Sequence, residues 1–273
     1  MPRLAFLIEY HGKKISGSQF QLGVRTVQAE LEAACKTLGR KEMRVHLSGR
    51  TDAGVHASGQ VGHVDWPDTG EKDLDLWRMA WALNGILKSD ISIVDMQLVD
   101  ETFHARYRAT SREYVYRFLN RAQRSVFLKD THYLVHYPLD VEAMQDGASR
   151  LLGRHDFSSF RSTGTSQSSP ICTVTRSELL QLGDGRLEFW IAADHFVYNM
   201  VRIIAGTLTE IGLGKRTPDS VENALEKSDR DLAGPTAPPW GLTLYSVSYP
   251  QNYNLFERDP SQRRLKEFSR EDL

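Results

Sequence analysis

The chain has 273 residues, of which 40% are hydrophobic and 25% charged, with a formal net charge of −1. That is a globular composition, long enough for one large or two modest domains with a buried core. It excludes a helical membrane span, because no apolar run approaches the roughly 20 residues that one needs. It also excludes a disulfide framework, since Cys35 and Cys172 are the two cysteines. Two reduced thiols fit a cytoplasmic protein. Met1-Pro2-Arg3-Leu4 enters a strand-like pattern at once, so no signal peptide is expected ahead of it.

In chain order, residues 4–10 read as a mostly buried strand, followed by a loop through Gly12 and Gly17. Thr26 can cap a helix that places Val27, Leu31, Ala34 and Leu38 on one stripe and ends at Gly39. Strands are expected at 43–47 and 60–66, flanking a loop over 48–59. A helix over 74–83 should turn Trp77, Ala80, Trp81 and Leu83 inward, and a strand follows at 91–99. This β-α-β-β-α-β order is that of the ferredoxin-like split βαβ unit.

The order then recurs. Residues 113–119 alternate, with Tyr114, Tyr116 and Phe118 on one face. Asp140 can cap a helix carrying Val141, Met144, Ala148 and Leu151, stopped at Gly153. Strands near 173–182 and 186–193 meet at Gly183-Asp184-Gly185, a hairpin signal. Residues 196–211 read as a strongly apolar helix, Pro218 opens another, and 242–249 is a last strand. The expectation is an α+β protein with two ferredoxin-like (βαββαβ) halves, 1–108 and 109–250. The halves lay one continuous antiparallel sheet with helices on one face. A charged tail, 251–273, follows.

Charge is unevenly placed. Residues 65–101 hold nine acids against three basic residues, whereas 102–130 hold seven basic residues against Glu113 and Asp130. The basic stretch is interleaved with Tyr107, Tyr114 and Tyr116, a pattern suited to a phosphate backbone with stackable bases.

The sharpest segment is Gly49-Arg50-Thr51-Asp52-Ala53-Gly54-Val55-His56-Ala57. Small residues around one Asp allow a tight turn that presents a carboxylate. This nonapeptide resembles the signature loop of the TruA family of tRNA pseudouridine synthases. Further segments resemble that family in the same order: Tyr10-His11-Gly12 with Gly17 and Gln19; Gln60-Val61; Phe103-His104-Ala105-Arg106; Arg112-Glu113-Tyr114-Val115-Tyr116; Asp156-Phe157-Ser158-Ser159-Phe160; Phe196-Val197-Tyr198-Asn199-Met200-Val201-Arg202; and Pro238 with Gly241-Leu242. His11, Ile15, Ser18 and the segment Ile171-Cys172-Thr173 depart from the family pattern. The first three predict a first loop that packs differently.

The resemblance implies the pseudouridine synthase fold and the isomerisation of uridine to pseudouridine in the anticodon stem-loop, at tRNA positions 38, 39 and 40. It implies Asp52 as catalytic carboxylate, Arg202 as its partner and Tyr114 as the ring stacked on a flipped-out base. Arg50, Arg106, His56 and Gln60 are placed at the RNA. It also implies a homodimer and a tRNA partner, with no metal or cofactor. The residue types suit the reaction, which breaks N1–C1′, makes C5–C1′ and consumes no oxidant. A carboxylate can add to C1′, add to C6 or take a sugar proton, and the residues leave all three open. A tyrosine ring supports a base removed from its stack.

Two other readings use the same residues. A metal site could draw on His46, His56, His63 and Asp65, although no paired spacing among them is diagnostic. A non-catalytic RNA-binding module could use the basic residues and aromatics alone.

Overall fold

The strand expected at 4–10 is β1 (Arg3–Tyr10), and it is buried on both faces in the computed structural model, which describes residues 1–67, 74–162, 169–253 and 255–256. Leu4, Phe6, Ile8 and Tyr10 enter one core cluster, while Ala5 and Leu7 enter a second. The chain continues through α1 (Val27–Gly39), β2 (His46–Leu47), β3 (His56–Asp65), α2 (Leu76–Ile86), β4 (Ile91–Val99), β5 (Ser111–Asn120), β6 (Tyr133–Val135) and α3 (Val141–Ser149). It then passes through β7 (Gly153–Asp156), β8 (Ile171–Gly183), β9 (Arg186–Ala193), α4 (Met200–Gly212), α5 (Asp219–Lys227) and β10 (Leu242–Ser248).

The strands form one sheet in the order β4-β1-β3-β10-β5-β9-β8-β7, with β2 on β3 and β6 on β5. The split βαβ arrangement therefore occurs twice, as β4-β1-β3-β2 and as β10-β5-β9-β8, each antiparallel throughout. The five α-helices among the described residues send their buried apolar side chains into the first cluster, as expected for helices on one face. The opposite face differs along the sheet. Beside β1 and β3, Phe103, Ala105 and Phe256 cover Ala5, Leu7 and Val61. Toward β9 the face carries paired ions, Arg117 with Glu188 at 2.9 Å and Arg176 with Glu113 at 2.7 Å, and Trp190 lies edge-on to Tyr245.

The sheet is continuous but not wholly antiparallel. Its seam, β3 against β10, is parallel and short, with Thr243 beside His56 and Leu244 beside Ala57. Gly59 lets the strands close there, since a Cβ would stand 2.1 Å from the Tyr245 carbonyl oxygen.

Other corrections have local causes. The strand expected at 43–47 shrinks to β2. Upstream of it, Gln28 Nε2 donates to the Val45 carbonyl and Glu32 Oε1 accepts from the Val45 N–H, so side chains of α1 take the place of a ladder. Trp81 is 69% exposed, because the inward stripe of α2 is Leu76, Met79, Ala80 and Leu83. Gly39 remains helical, and the left-handed residue that ends α1 is Arg40. The apolar helix expected from 196 starts at Met200, because Asn199 takes φ 63°. Thr26, Asp75 and Asp140 each accept a backbone N–H at a helix start. The Asp184-Gly185 turn has positive φ at both residues, as a type I′ hairpin turn requires. Of the tail expected at 251–273, residues 254 and 257–273 lie outside the described residues, and Phe256 is buried.

Gly59→Ala is expected to lower stability by about 1–3 kcal/mol, because the added methyl meets backbone and not a side chain that can move away. Urea unfolding of wild type and variant measures it. Coincident midpoints would show that the seam has slack.

Candidate active site

Asp52 sits on the loop joining β2 to β3, and the loop is held from below. The Thr51 N–H donates to Ser18 Oγ at 2.8 Å, and the Ser18 N–H returns to the Thr51 carbonyl at 3.0 Å. Ile15, buried beside it, offers its carbonyl to the Gly54 N–H. Ile15 and Ser18, two of the departures noted in the first loop, thus both pack against the Asp52 loop. The Val55 N–H closes the turn on the Asp52 carbonyl at 3.1 Å, with Gly54 in the left-handed region at φ 82°. Tyr10, buried and with its phenol pushed up to about 12 by burial, meets Thr51 Oγ1 at 2.8 Å.

Arg202 comes from the first turn of α4, 150 residues away in sequence. Its Nη1 donates to Asp52 Oδ2 at 3.1 Å and to Asn199 Oδ1 at 2.8 Å, and its Nε donates to the Ala237 carbonyl at 2.9 Å. Both members of the pair are mostly shielded, with 17% and 28% of their side chains exposed. The guanidinium is thus oriented by three acceptors before any ligand arrives. Asp52 Oδ1 makes no hydrogen bond among the described residues. Asn199 is itself fixed, since its Nδ2 donates to Ser162 Oγ at 2.9 Å.

These groups open into a cavity of about 430 Å³ whose lining includes Asp52, Arg202, Tyr114, Arg50, Arg106 and Tyr107. Tyr114 is 9% exposed and lies edge-on to Phe196, with ring centroids 5.0 Å apart. Burial pushes its phenol well above the ordinary tyrosine range, so the ring is a neutral platform. Arg50 and Arg106 are exposed and make no ion pair among the described residues.

Arg112, within the basic stretch, adds a contact that residue types do not predict. Its guanidinium lines the same cavity and donates to the carbonyls of Ser48, Arg106, Ala109 and Asp194. It ties the Asp52 loop, the Arg106 segment and the end of β9 together. Its place two residues before Tyr114 is the only sequence signal, because backbone acceptors leave no trace in residue types.

Metal-ligating types are brought together at one point among the described residues. Cys172, Asp194 and His195 offer three ligand atoms within 4.8 Å. Burial pushes the Cys172 thiol up to about 12, and Asp194 Oδ1 already accepts from the Thr173 and His195 N–H groups. The four residues considered from sequence are dispersed otherwise. Asp65 pairs with Arg3, His46 stacks on His63, and His56 lies beneath the Asp52 loop.

A family model described as tRNA pseudouridine synthase matches residues 148–250. A protein of Geobacillus sp. (strain WCH70) named tRNA pseudouridine synthase A is 44% identical over 248 residues, covering 90% of this chain and 98% of its own. Its namesake in Bacillus subtilis (strain 168) is 41% identical over 249 residues, covering 90% and 99%. The chain belongs to the tRNA pseudouridine synthase A family. Among solved structures, a chain of a Cbf5-Nop10-Gar1 complex is similar at a TM-score of 0.31 and 10% identity, over 76% of this chain and 54% of that one.

Two of the residues that likeness to tRNA pseudouridine synthase A placed at the RNA do not line the cavity. Gln60 is fully buried, with Oε1 accepting from Ser48 Oγ at 2.5 Å and Nε2 donating to the Gly49 carbonyl at 3.1 Å. His56 is 5% exposed. Its Nδ1 accepts from the Gly12 N–H at 3.0 Å, so its proton sits on Nε2, which donates to the Trp240 carbonyl at 3.1 Å. Both brace the loop from behind.

Burial, and then the neighbouring His11, lowers the His56 pKa to about 4. A base whose folded pKa lies below its unfolded value of 6.5 contributes stability fully above pH 6.5 and loses it as pH falls toward 4. Wild type should therefore exceed His56→Asn in Tm by the widest margin at pH 7, with the margin closing toward pH 4. A margin constant with pH would show that His56 does not titrate in that window.

Proposed function

We propose that this protein isomerises uridine to pseudouridine in tRNA, with Asp52 as the catalytic carboxylate. The observation that carries the reading is Arg202 gripping one carboxylate oxygen while the other has no hydrogen bond among the described residues, in an open cavity walled by the neutral ring of Tyr114. In this reading the flipped uracil stacks on Tyr114, which offsets part of the few kcal/mol that unstacking costs. Asp52 Oδ1 is the reacting atom, whether it adds to carbon or takes a sugar proton. Arg202 keeps the carboxylate aimed and stabilises charge that develops on it. When C5 bonds to C1′, the C5 hydrogen leaves as a proton.

Arg50 and Arg106, at the cavity edge and without an ion pair among the described residues, are assigned to phosphates of the strand entering it. His56 and Gln60 are assigned to positioning of the Asp52 loop. The finer reading, from family resemblance, has uridines 38, 39 and 40 of the anticodon stem-loop as targets, a homodimer as the working form and the cytoplasm as its location. With a net charge of −1 the basic surface that meets tRNA has to be concentrated, and a dimer would join local basic patches of two chains along one tRNA. No helix among the described residues is long and apolar enough to cross a membrane. We place a domain boundary at 108/109, where the second split βαβ set begins.

Tritium release from tRNA carrying C5-labelled uridine tests the chemistry. Asp52→Asn is expected to lose release by at least about 10⁴-fold while still binding tRNA. Arg202→Lys, which keeps the charge and loses the fork, is expected to lose about 10²-fold. No release from wild type, with tRNA bound, would favour the non-catalytic RNA-binding reading. Affinity for tRNA should fall as salt rises, and Arg50→Ala should shallow that log–log slope by about one phosphate contact. An unchanged slope would remove Arg50 from the interface.

A further inference from the structure

The three tyrosines interleaved with the basic stretch meet three different fates. Tyr116 is fully buried and donates its hydroxyl to the Pro238 carbonyl at 2.8 Å, a core residue. Tyr114 walls the cavity. Tyr107 lines the same cavity yet is 77% exposed, so most of its ring has no protein cover.

An exposed aromatic on a mobile loop means little, but Tyr107 stands on a scaffold pinned at each preceding residue. Phe103 and Ala105 are fully buried in the second core cluster. The Ala105 N–H donates to His63 Nδ1 at 3.2 Å, and its carbonyl accepts from the Tyr249 hydroxyl at 2.6 Å. The Arg106 carbonyl is held by Arg112 at 3.0 Å, and the Arg108 N–H returns to the His104 carbonyl at 3.0 Å. Beneath the Tyr107 ring lies His104, with centroids 4.3 Å apart and planes inclined by 35°. His104 Nδ1 accepts from the Arg106 and Tyr107 N–H groups, which fixes that ring too, and His63 backs it edge-on at 4.6 Å. One face of Tyr107 is therefore occupied and its orientation set. The adjoining residue is Arg106, whose exposed guanidinium makes no ion pair among the described residues.

We infer that Tyr107 is a second base-stacking subsite, taking the nucleobase of a nucleotide that flanks the flipped uridine. The inference rests on the proposed uridine-flipping function of the cavity. Extruding one nucleotide leaves its neighbours with an unstacked face, and a fixed ring at the edge of the cavity offers a substitute partner. Stacking accepts any base, because every base has a π face. The subsite would therefore hold the strand without reading its sequence. Arg106 beside it supplies the phosphate contact for the same nucleotide.

Tyr107→Phe and Tyr107→Ala, compared with wild type on C5-tritiated tRNA, test the subsite. Loss of the ring is expected to raise KM on the order of tenfold, with the single-turnover rate at saturating enzyme within about twofold of wild type. Phe should restore KM. A second arm uses binding alone: tRNA with 2-aminopurine on either side of the target is titrated with Asp52→Asn protein. Fluorescence should change at one flanking position, with the change lost when Tyr107→Ala is added and kept with Tyr107→Phe. Identical KM and identical fluorescence in the Ala variant would overturn the subsite. A wild type that releases no tritium would instead count against uridine isomerisation, and the fluorescence arm would still decide whether Tyr107 stacks a base.

Discussion

Thr243 and Leu244 of β10 lie beside His56 and Ala57 of β3, and this short parallel contact is where the two split βαβ sets become one sheet. Two registered pairs are a small join for strands that otherwise run antiparallel over long ladders. What secures it lies on either side of the pairing. The Trp240 carbonyl, just before β10, accepts a hydrogen bond from His56 Nε2. Pro239 packs against Gly54, and Arg112 of β5 reaches across to the Ser48 carbonyl. Each of these contacts touches the Asp52 loop or its immediate flank. The join of the sheet and the fixing of the carboxylate are therefore one set of interactions. Loosening the seam moves Asp52 relative to Arg202, because Asp52 hangs from β3 while Arg202 is tied to the Ala237 carbonyl upstream of β10.

The arginines around the cavity divide by what satisfies them. Arg202 spends its donors on one carboxylate, one amide and one carbonyl. Arg112 spends its donors on backbone carbonyls alone, and burial lowers its pKa, the direction expected of a cation taken from water without a carboxylate beside it. Arg50 and Arg106 have no such partners among the described residues. A fixed inner pair and a free outer pair are what a site needs if the inner pair organises chemistry and the outer pair meets phosphates brought by the ligand.

Local order along the chain was readable wherever one face of an element decides it. The caps at Thr26 and Asp140, the alternation through Tyr114, Tyr116 and Phe118 and the hairpin at Asp184-Gly185 all depend on neighbours within a few residues. An arginine in the apolar segment 196–211 calls for a partner, but that the partner is Asp52, 150 residues away, was legible only through resemblance. Long-range backbone bonding was not legible at all. The parallel seam, the carbonyl cage of Arg112 and the burial of His56 and Gln60 behind the loop leave no periodicity and no distinctive residue type. Trp81 shows the opposite failure. Its apolarity drew it inward on paper, while the stripe of Leu76, Met79, Ala80 and Leu83 turns it to solvent.

The start of α4, four residues later than apolarity predicts, carries the most chemistry. Phe196 to Asn199 is apolar enough to pass for the first turn of a helix, and hydrophobicity alone would wind it into one. Asn199 prevents this by adopting φ 63°, a conformation that asparagine tolerates better than most residues and that still costs free energy. In return, its amide is free to bond Arg202 on one side and Ser162 on the other. Phe196 is left against Tyr114, and Tyr198 is left half-exposed in the cavity lining. A regular helix would have carried 196–199 around its axis and withdrawn these side chains from the positions they hold. The broken local rule and the assembled site have one cause, and departures from simple propensity are expected to gather where function is placed.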